Sequence, residues 1–241
     1  MEINMNISFN TWGKEQHGSL DEILMQLSTV EYKKFSDGIV NTKYEILGVR
    51  VPYIRMLAKS ISCGNAVSFL NSTKVNNQEK LLLYGLVATK LKEEEKVFCY
   101  YEKFLKKIDN WGACDIVCGE IDVIRKKPEK YFNYALNLVK SDKEFICRAG
   151  LIHFLKYYKK EPYVDEVLKA LNRIKTDAYY ISMGEAWLLA EMYLYSPAKI
   201  LNFLVKNKLS KFAHNKAIQK MRESFRISEQ DKDELNLLKR K

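Results

Sequence analysis

From Asn77 onward, apolar residues recur every three or four positions, the spacing that lines one face of a helix. The pattern runs through "NQEKLLLYGLVATKL", "EEKVFCYYEKFLKKI", "WGACDIVCGEIDVI" and "PEKYFNYALNLV", and continues through "FICRAGLIHFLKYY", "PYVDEVLKALNRI", "YYISMGEAWLLAEMYL", "PAKILNFLV" and "HNKAIQKMRESF". Strict alternation is sparse and Gly/Asn hairpin turns are missing, so strands are not expected. Only four prolines occur, and Pro128, Pro162 and Pro197 stand 34 and 35 residues apart. Each has one helical segment before it and another after it, as suits a residue whose missing N–H is harmless in a first helical turn. Two helices per period in the mid-thirties is the signature of an α-solenoid. The pattern predicts an all-α, single-domain array of stacked antiparallel helix pairs. Residues 1–19 would be an amino-terminal extension, 20–230 the repeats and 231–241 a basic tail.

The prolines also set a register between repeats. Counting back from the next proline, Trp111 stands at −17, Arg148 at −14, Asp115 at −13 and Trp187 at −10. Read as i, i+3, i+4 and i+7, these offsets define one helical stripe, which stacked repeats would present on a shared concave surface. The same stripe holds Cys114, Cys118, Phe145, Ile152, Tyr180 and Met183. Two readings therefore stand. The stripe is a packed seam whose tryptophans are core and whose acid and arginine form a buried pair, or it is a binding groove.

Charge favours an anionic partner. The net charge is +10, and Lys206–Lys241 holds eleven Lys/Arg against five Asp/Glu, so six of the surplus charges sit in the last 36 residues. A field of that sign attracts nucleic acid or an acidic surface. Arg50, Arg55 and Lys59 early in the chain, and Lys216, Lys220 and Arg222 late, are candidates to track a phosphate backbone, and each taken singly also reads as an ordinary surface cation. The amino-terminal "MEINMNISFN" has neither a basic segment nor an apolar one, which predicts no secretory signal. No apolar run approaches a membrane span. The five cysteines never form CxxC, and the histidines at 17, 153 and 214 are scattered, so no metal framework is expected. Reduced thiols in a cytoplasmic protein are the simplest reading.

Four motifs, in order, resemble the HEAT-like-repeat DNA alkylation repair glycosylases of the AlkD family. They are "LGVRVPYIRMLAK", with Leu47, Gly48, Pro52 and Arg55, then "NWGACD", "CRAGLI" and "GEAWLLAE"; "NKAIQKMRESF" also matches. The resemblance spans about residues 20–230. It implies HEAT-like helix pairs curved around a basic groove, and a cofactor-free, metal-free enzyme that releases positively charged N3- and N7-alkylpurines from double-stranded DNA. It further implies that Asp115 is the catalytic carboxylate, that Trp111 and Trp187 flank the deoxyribose, and that Arg148 holds the neighbouring phosphate. Such an enzyme needs no oligomer, and a monomer is expected.

Those residue types suit that chemistry. An alkylated purine already carries positive charge and leaves without protonation, so the remaining task is to stabilise an oxocarbenium-like sugar. A carboxylate aimed at that cation does so electrostatically, with indole faces adding cation–π attraction. The chain also departs from the family pattern. Asn110 stands where some members carry a further Trp, and Met183 and Glu185 stand where a neutral or basic residue would suit DNA. Glu185 would repel phosphate if it faced the groove, and its register equally allows it to point outward. A non-catalytic DNA-binding relative and a protein-interaction scaffold are the competing readings.

Overall fold

The computed structural model describes residues 4–241, so the first three residues of the amino-terminal extension lie outside the described residues. Among the described residues there are fifteen α-helices and one π-helical turn. No strand forms beyond two isolated bridges, Ser28 with Val49 and Glu45 with Asn77. The chain divides into two compact units that meet after Val123.

The first unit contains α1 (Lys14–Leu27), α2 (Val30–Ile39), α3 (Val51–Cys63), α4 (Ala66–Ser72), α5 (Gln78–Thr89), α6 (Glu94–Leu105) and α7 (Trp111–Cys118). The short α8 (Asp122–Lys126) carries the division. Helix α5 is apolar on nearly every side, and every one of its residues is buried. A helix apolar all round must be covered all round. α3 and α7 flank it in one layer, with α4 and α6 in the next. At Gly85 the fit leaves no room for a side chain, because a Cβ there would lie 2.7 Å from both Val117 methyls and 2.8 Å from the Phe104 ring.

The second unit contains α9 (Pro128–Leu138), α10 (Glu144–His153), the π-helical turn Phe154–Tyr158, α11 (Val164–Leu171), α12 (Tyr179–Tyr193), α13 (Pro197–Val205), α14 (Lys211–Arg222) and α15 (Glu229–Leu237). It has the same alternation. α10, α12 and α14 lie side by side, backed by α9, the π-helical turn, α13 and α15.

Local chemistry sets the helix boundaries. Asn65, Asn77 and Asn110 each accept a backbone N–H of the following turn, from Ser68, Lys80 and Ala113, and Ser210 and Ser228 do the same later. Such caps contribute about 0.5–2 kcal/mol each. Pro128 and Pro197 open α9 and α13. Pro162 does not open a helix: α11 starts at Val164, and the intervening Tyr163 packs its ring against Phe132 and Tyr158 at 4.9 and 5.0 Å. Gly48 is the one described residue with a positive φ, +96°, and a Cβ there would clash with the Thr29 carbonyl oxygen at 2.7 Å. The buried Glu79 carboxylate fixes this loop by accepting the N–H groups of Leu47, Gly48 and Val49.

The last residues are docked. The Arg240 guanidinium donates to the Asn207 and Leu209 carbonyls, and Asn215 exchanges two hydrogen bonds with the Arg240 backbone. No described helix is long and apolar enough to cross a membrane.

Two glycines test the packing. In Gly85→Ala, overpacking of roughly 1–3 kcal/mol opposes about 1 kcal/mol of added helix propensity, and a net loss is expected. Gly18→Ala in α1 meets nothing within 4 Å and gains stability. Urea unfolding of both variants beside the parent protein checks the opposite signs.

Candidate active site

Helix α7 begins at a fully buried amide. Asn110 Oδ1 caps α7 through the Ala113 N–H and accepts from Gln78 Nε2, while Asn110 Nδ2 donates to Gln78 Oε1 and to Asp109 Oδ1. Asp109 in turn accepts from the Thr42 hydroxyl and the Lys43 N–H. Asn110 thus fixes where α7 starts and how it is turned about its axis. An indole at this position offers one N–H and no acceptor, so it would supply neither the cap nor the amide pair.

From that start the sides of α7 are determined. Gly112, Ala113, Cys114, Val117 and Cys118 are buried, with the Tyr101 hydroxyl hydrogen-bonded to the Cys118 sulfur at 3.0 Å. Trp111, Asp115 and Ile116 fall on the remaining arc and are only partly buried. The stripe read from the sequence therefore divides: its cysteines are core, while the Trp–Asp pair, one turn apart, lies at the core's edge. The Trp111 indole N–H donates to the Ile39 carbonyl at 2.9 Å, which fixes the ring against the end of α2. The ring lines a cavity of about 280 Å³ with Tyr32, Phe35, Ile39, Val49 and Leu82. Tyr32 and Phe35 were not legible as cavity residues, because α2 buries only Ser36.

The early basic candidates are all exposed in the same unit. Arg50 stands over the Tyr32 ring at 5.2 Å, and Arg55 is ion-paired with Glu120 at 2.6 Å. Lys59 follows Arg55 by one turn of α3.

In the second unit Arg148 is 5% exposed. Its guanidinium donates to the Tyr180 carbonyl, and Glu144, one turn earlier on α10, accepts the Tyr180 N–H at 2.9 Å. Two side chains of α10 thereby hold both peptide groups of one residue in the first turn of α12. Gly184 permits the approach: a Cβ there would lie 3.0 Å from Leu151 and 3.5 Å from the Arg148 guanidinium. Trp187 sits seven residues, about two turns, beyond Tyr180 and is partly buried. The Lys156 ammonium lies over its ring at 5.6 Å. Lys156, which the sequence reading did not single out, belongs to the π-helical turn. Of the late basic candidates, all on α14, Arg222 is exposed, while Lys216 and Lys220 are partly buried.

Glu185 neither faces a groove nor points outward. It is 3% exposed, and burial pushes its carboxyl up to about 8, so at neutral pH it is mostly protonated and adds little repulsion. Burial likewise pushes the Cys147 thiol up to about 12, with Glu185 adding to the effect, and leaves it unreactive. His153, fully enclosed, is pushed down to about 3.

A pH dependence follows from Glu185. Its ordinary value is 4.5, so below that pH both the folded and unfolded chains carry the proton and the contribution is whole. As pH rises from 4.5 through about 8 the unfolded chain ionises first, and stability falls by up to about 1.4 kcal/mol per pH unit. Glu185→Gln removes this loss. Its stability relative to the parent, from urea unfolding, should therefore grow between pH 5 and about pH 8 and level off above that; a constant difference across this range would mean the carboxyl is ionised in the fold.

Comparison with known families gives a match to a family model described as DNA alkylation repair enzyme, over residues 20–221. No curated protein matches the chain.

Proposed function

Because the chain belongs to the DNA alkylation repair enzyme family, we propose that it is a DNA glycosylase that hydrolyses the N-glycosidic bond of cationic N3- and N7-alkylpurines. The observation that carries this reading is the placement of Trp111 and Asp115 together on the arc of α7 that is only partly buried.

The reaction asks little of the protein in proton transfer. As the C1′–N bond breaks, its electron pair passes to the purine ring and cancels the positive charge, so the base departs neutral. The sugar is left as an oxocarbenium-like cation. Asp115 stabilises that cation by charge, and water bonds to C1′ and releases a proton to Asp115 or to solvent, leaving an abasic site. The Trp111 ring, held through its N–H, offers a face to the developing charge, worth about 0.5–2 kcal/mol.

From the second unit, Trp187 offers the DNA another indole. Arg148, buried against α12, acts by setting the direction of the helix that carries Trp187. Arg50, Lys59, Lys220 and Arg222 supply sequence-independent phosphate contacts, which makes binding weaken steeply with salt. The alternation of helix layers within each unit supports the HEAT-like repeat reading.

Incubation with duplex DNA containing N7-methylguanine tests the proposal through released base and alkali-labile sites. Asp115→Asn is expected to lose roughly 3–4 kcal/mol of transition-state stabilisation, a rate loss of about 10²- to 10³-fold, with duplex binding retained. Binding without release by the parent protein would leave a non-catalytic DNA-binding relative, and neither binding nor release would leave a scaffold.

A further inference from the structure

Helix α14 buries Ala213, His214, Ala217, Ile218 and Met221 on one side. Its other side borders an open cleft of about 610 Å³, lined by Lys211, Phe212, Asn215, Lys216 and Gln219 and completed by Lys239 from the chain's end. Three of these six residues carry an ammonium group and none carries a carboxylate; Glu223, held by Gln219, marks the far end of the row. Lys239 is carried on fixed backbone, because Asn215 pairs with both the N–H and the carbonyl of Arg240 at 2.9 Å and the Arg240 guanidinium is anchored on Asn207 and Leu209.

Phe212 is 46% exposed, and Tyr179, itself 58% exposed, stands 5.9 Å from it with the rings tilted by 36°. A core has no use for two aromatic rings left this open beside three cations. A strand of nucleic acid does, since it presents a flat apolar face and an anionic phosphate in every repeat unit. An acidic protein segment would engage the lysines and leave the rings unused. A bilayer would call for an apolar patch wider than one ring pair.

We propose that this cleft is a second nucleic-acid site that takes unpaired nucleotides, with phosphates on Lys211, Lys216 and Lys239 and a base stacked on Phe212. It is separate from the Asp115 chemistry and does not depend on it.

The test is fluorescence anisotropy of labelled oligothymidine with the full chain, over a range of salt. Phe212→Ala should weaken binding roughly fivefold or more with the salt slope unchanged, and Phe212→Trp should restore it. The double variant Lys211→Gln/Lys239→Gln should lower the slope of log affinity against log salt by about 1.4. Thermal unfolding confirms that each variant is folded, and excision from a fully paired methylated duplex by Phe212→Ala should match the parent, so this site and the excision chemistry are judged separately. Three results would overturn the proposal: unchanged oligothymidine binding in Phe212→Ala, an unchanged salt slope in the lysine variant, or ring-dependent binding to anionic phospholipid vesicles in place of oligothymidine.

Discussion

Beyond its first turn, helix α5 has almost no polar residue, and all of it is buried. A helix of that composition forces its neighbours to give it their own apolar faces; α7 packs on it with Val117 against Gly85, and also buries Ala113, Cys114 and Cys118. Once those residues are committed, Trp111 and Asp115 have only the opposite arc to occupy. The same contact demands Gly85, since Val117 fills the place of its missing side chain. The direction of the carboxylate is thus a consequence of core packing eight residues long.

The buried amide pair of Gln78 and Asn110 secures the arrangement lengthwise. Packing alone would let α7 slide or rotate by a residue, whereas reciprocal hydrogen bonds at 3.0 and 3.1 Å with a cap on Ala113 admit one register. An unmatched amide in that position would cost about 1–3 kcal/mol, which penalises any shift. Asn110, a departure from the family pattern in sequence, is therefore the residue that aims its neighbour.

Much of this was legible. Apolar periodicity located α5, α6, α9 and α12–α14, and two of the three evenly spaced prolines open helices. The partly buried pair on α7 was legible as a stripe, although spacing could not separate Trp111 and Asp115 from Cys114 and Cys118, because positions one turn apart share a face whether it is wet or dry. Arg148 and Glu185 show the other limit. Spacing left each open, Arg148 as a groove charge or a buried one and Glu185 as facing the groove or pointing outward. Arg148 is buried on the Tyr180 carbonyl and Glu185 is buried and mostly protonated, outcomes set by the distance between helices and not by position within one. Helix α15 was hidden by composition, since its nine residues bury only Leu235.

The central claim is that a carboxylate acts on a sugar cation while the leaving base carries its own charge. Single-turnover release from two duplexes, alike except for N7-methylguanine in one and neutral hypoxanthine in the other, addresses it most directly. The account predicts release of the cationic base alone, with no requirement for acidic pH. Comparable release of the neutral base would reveal a general acid that this chemistry does not contain, and would contradict it.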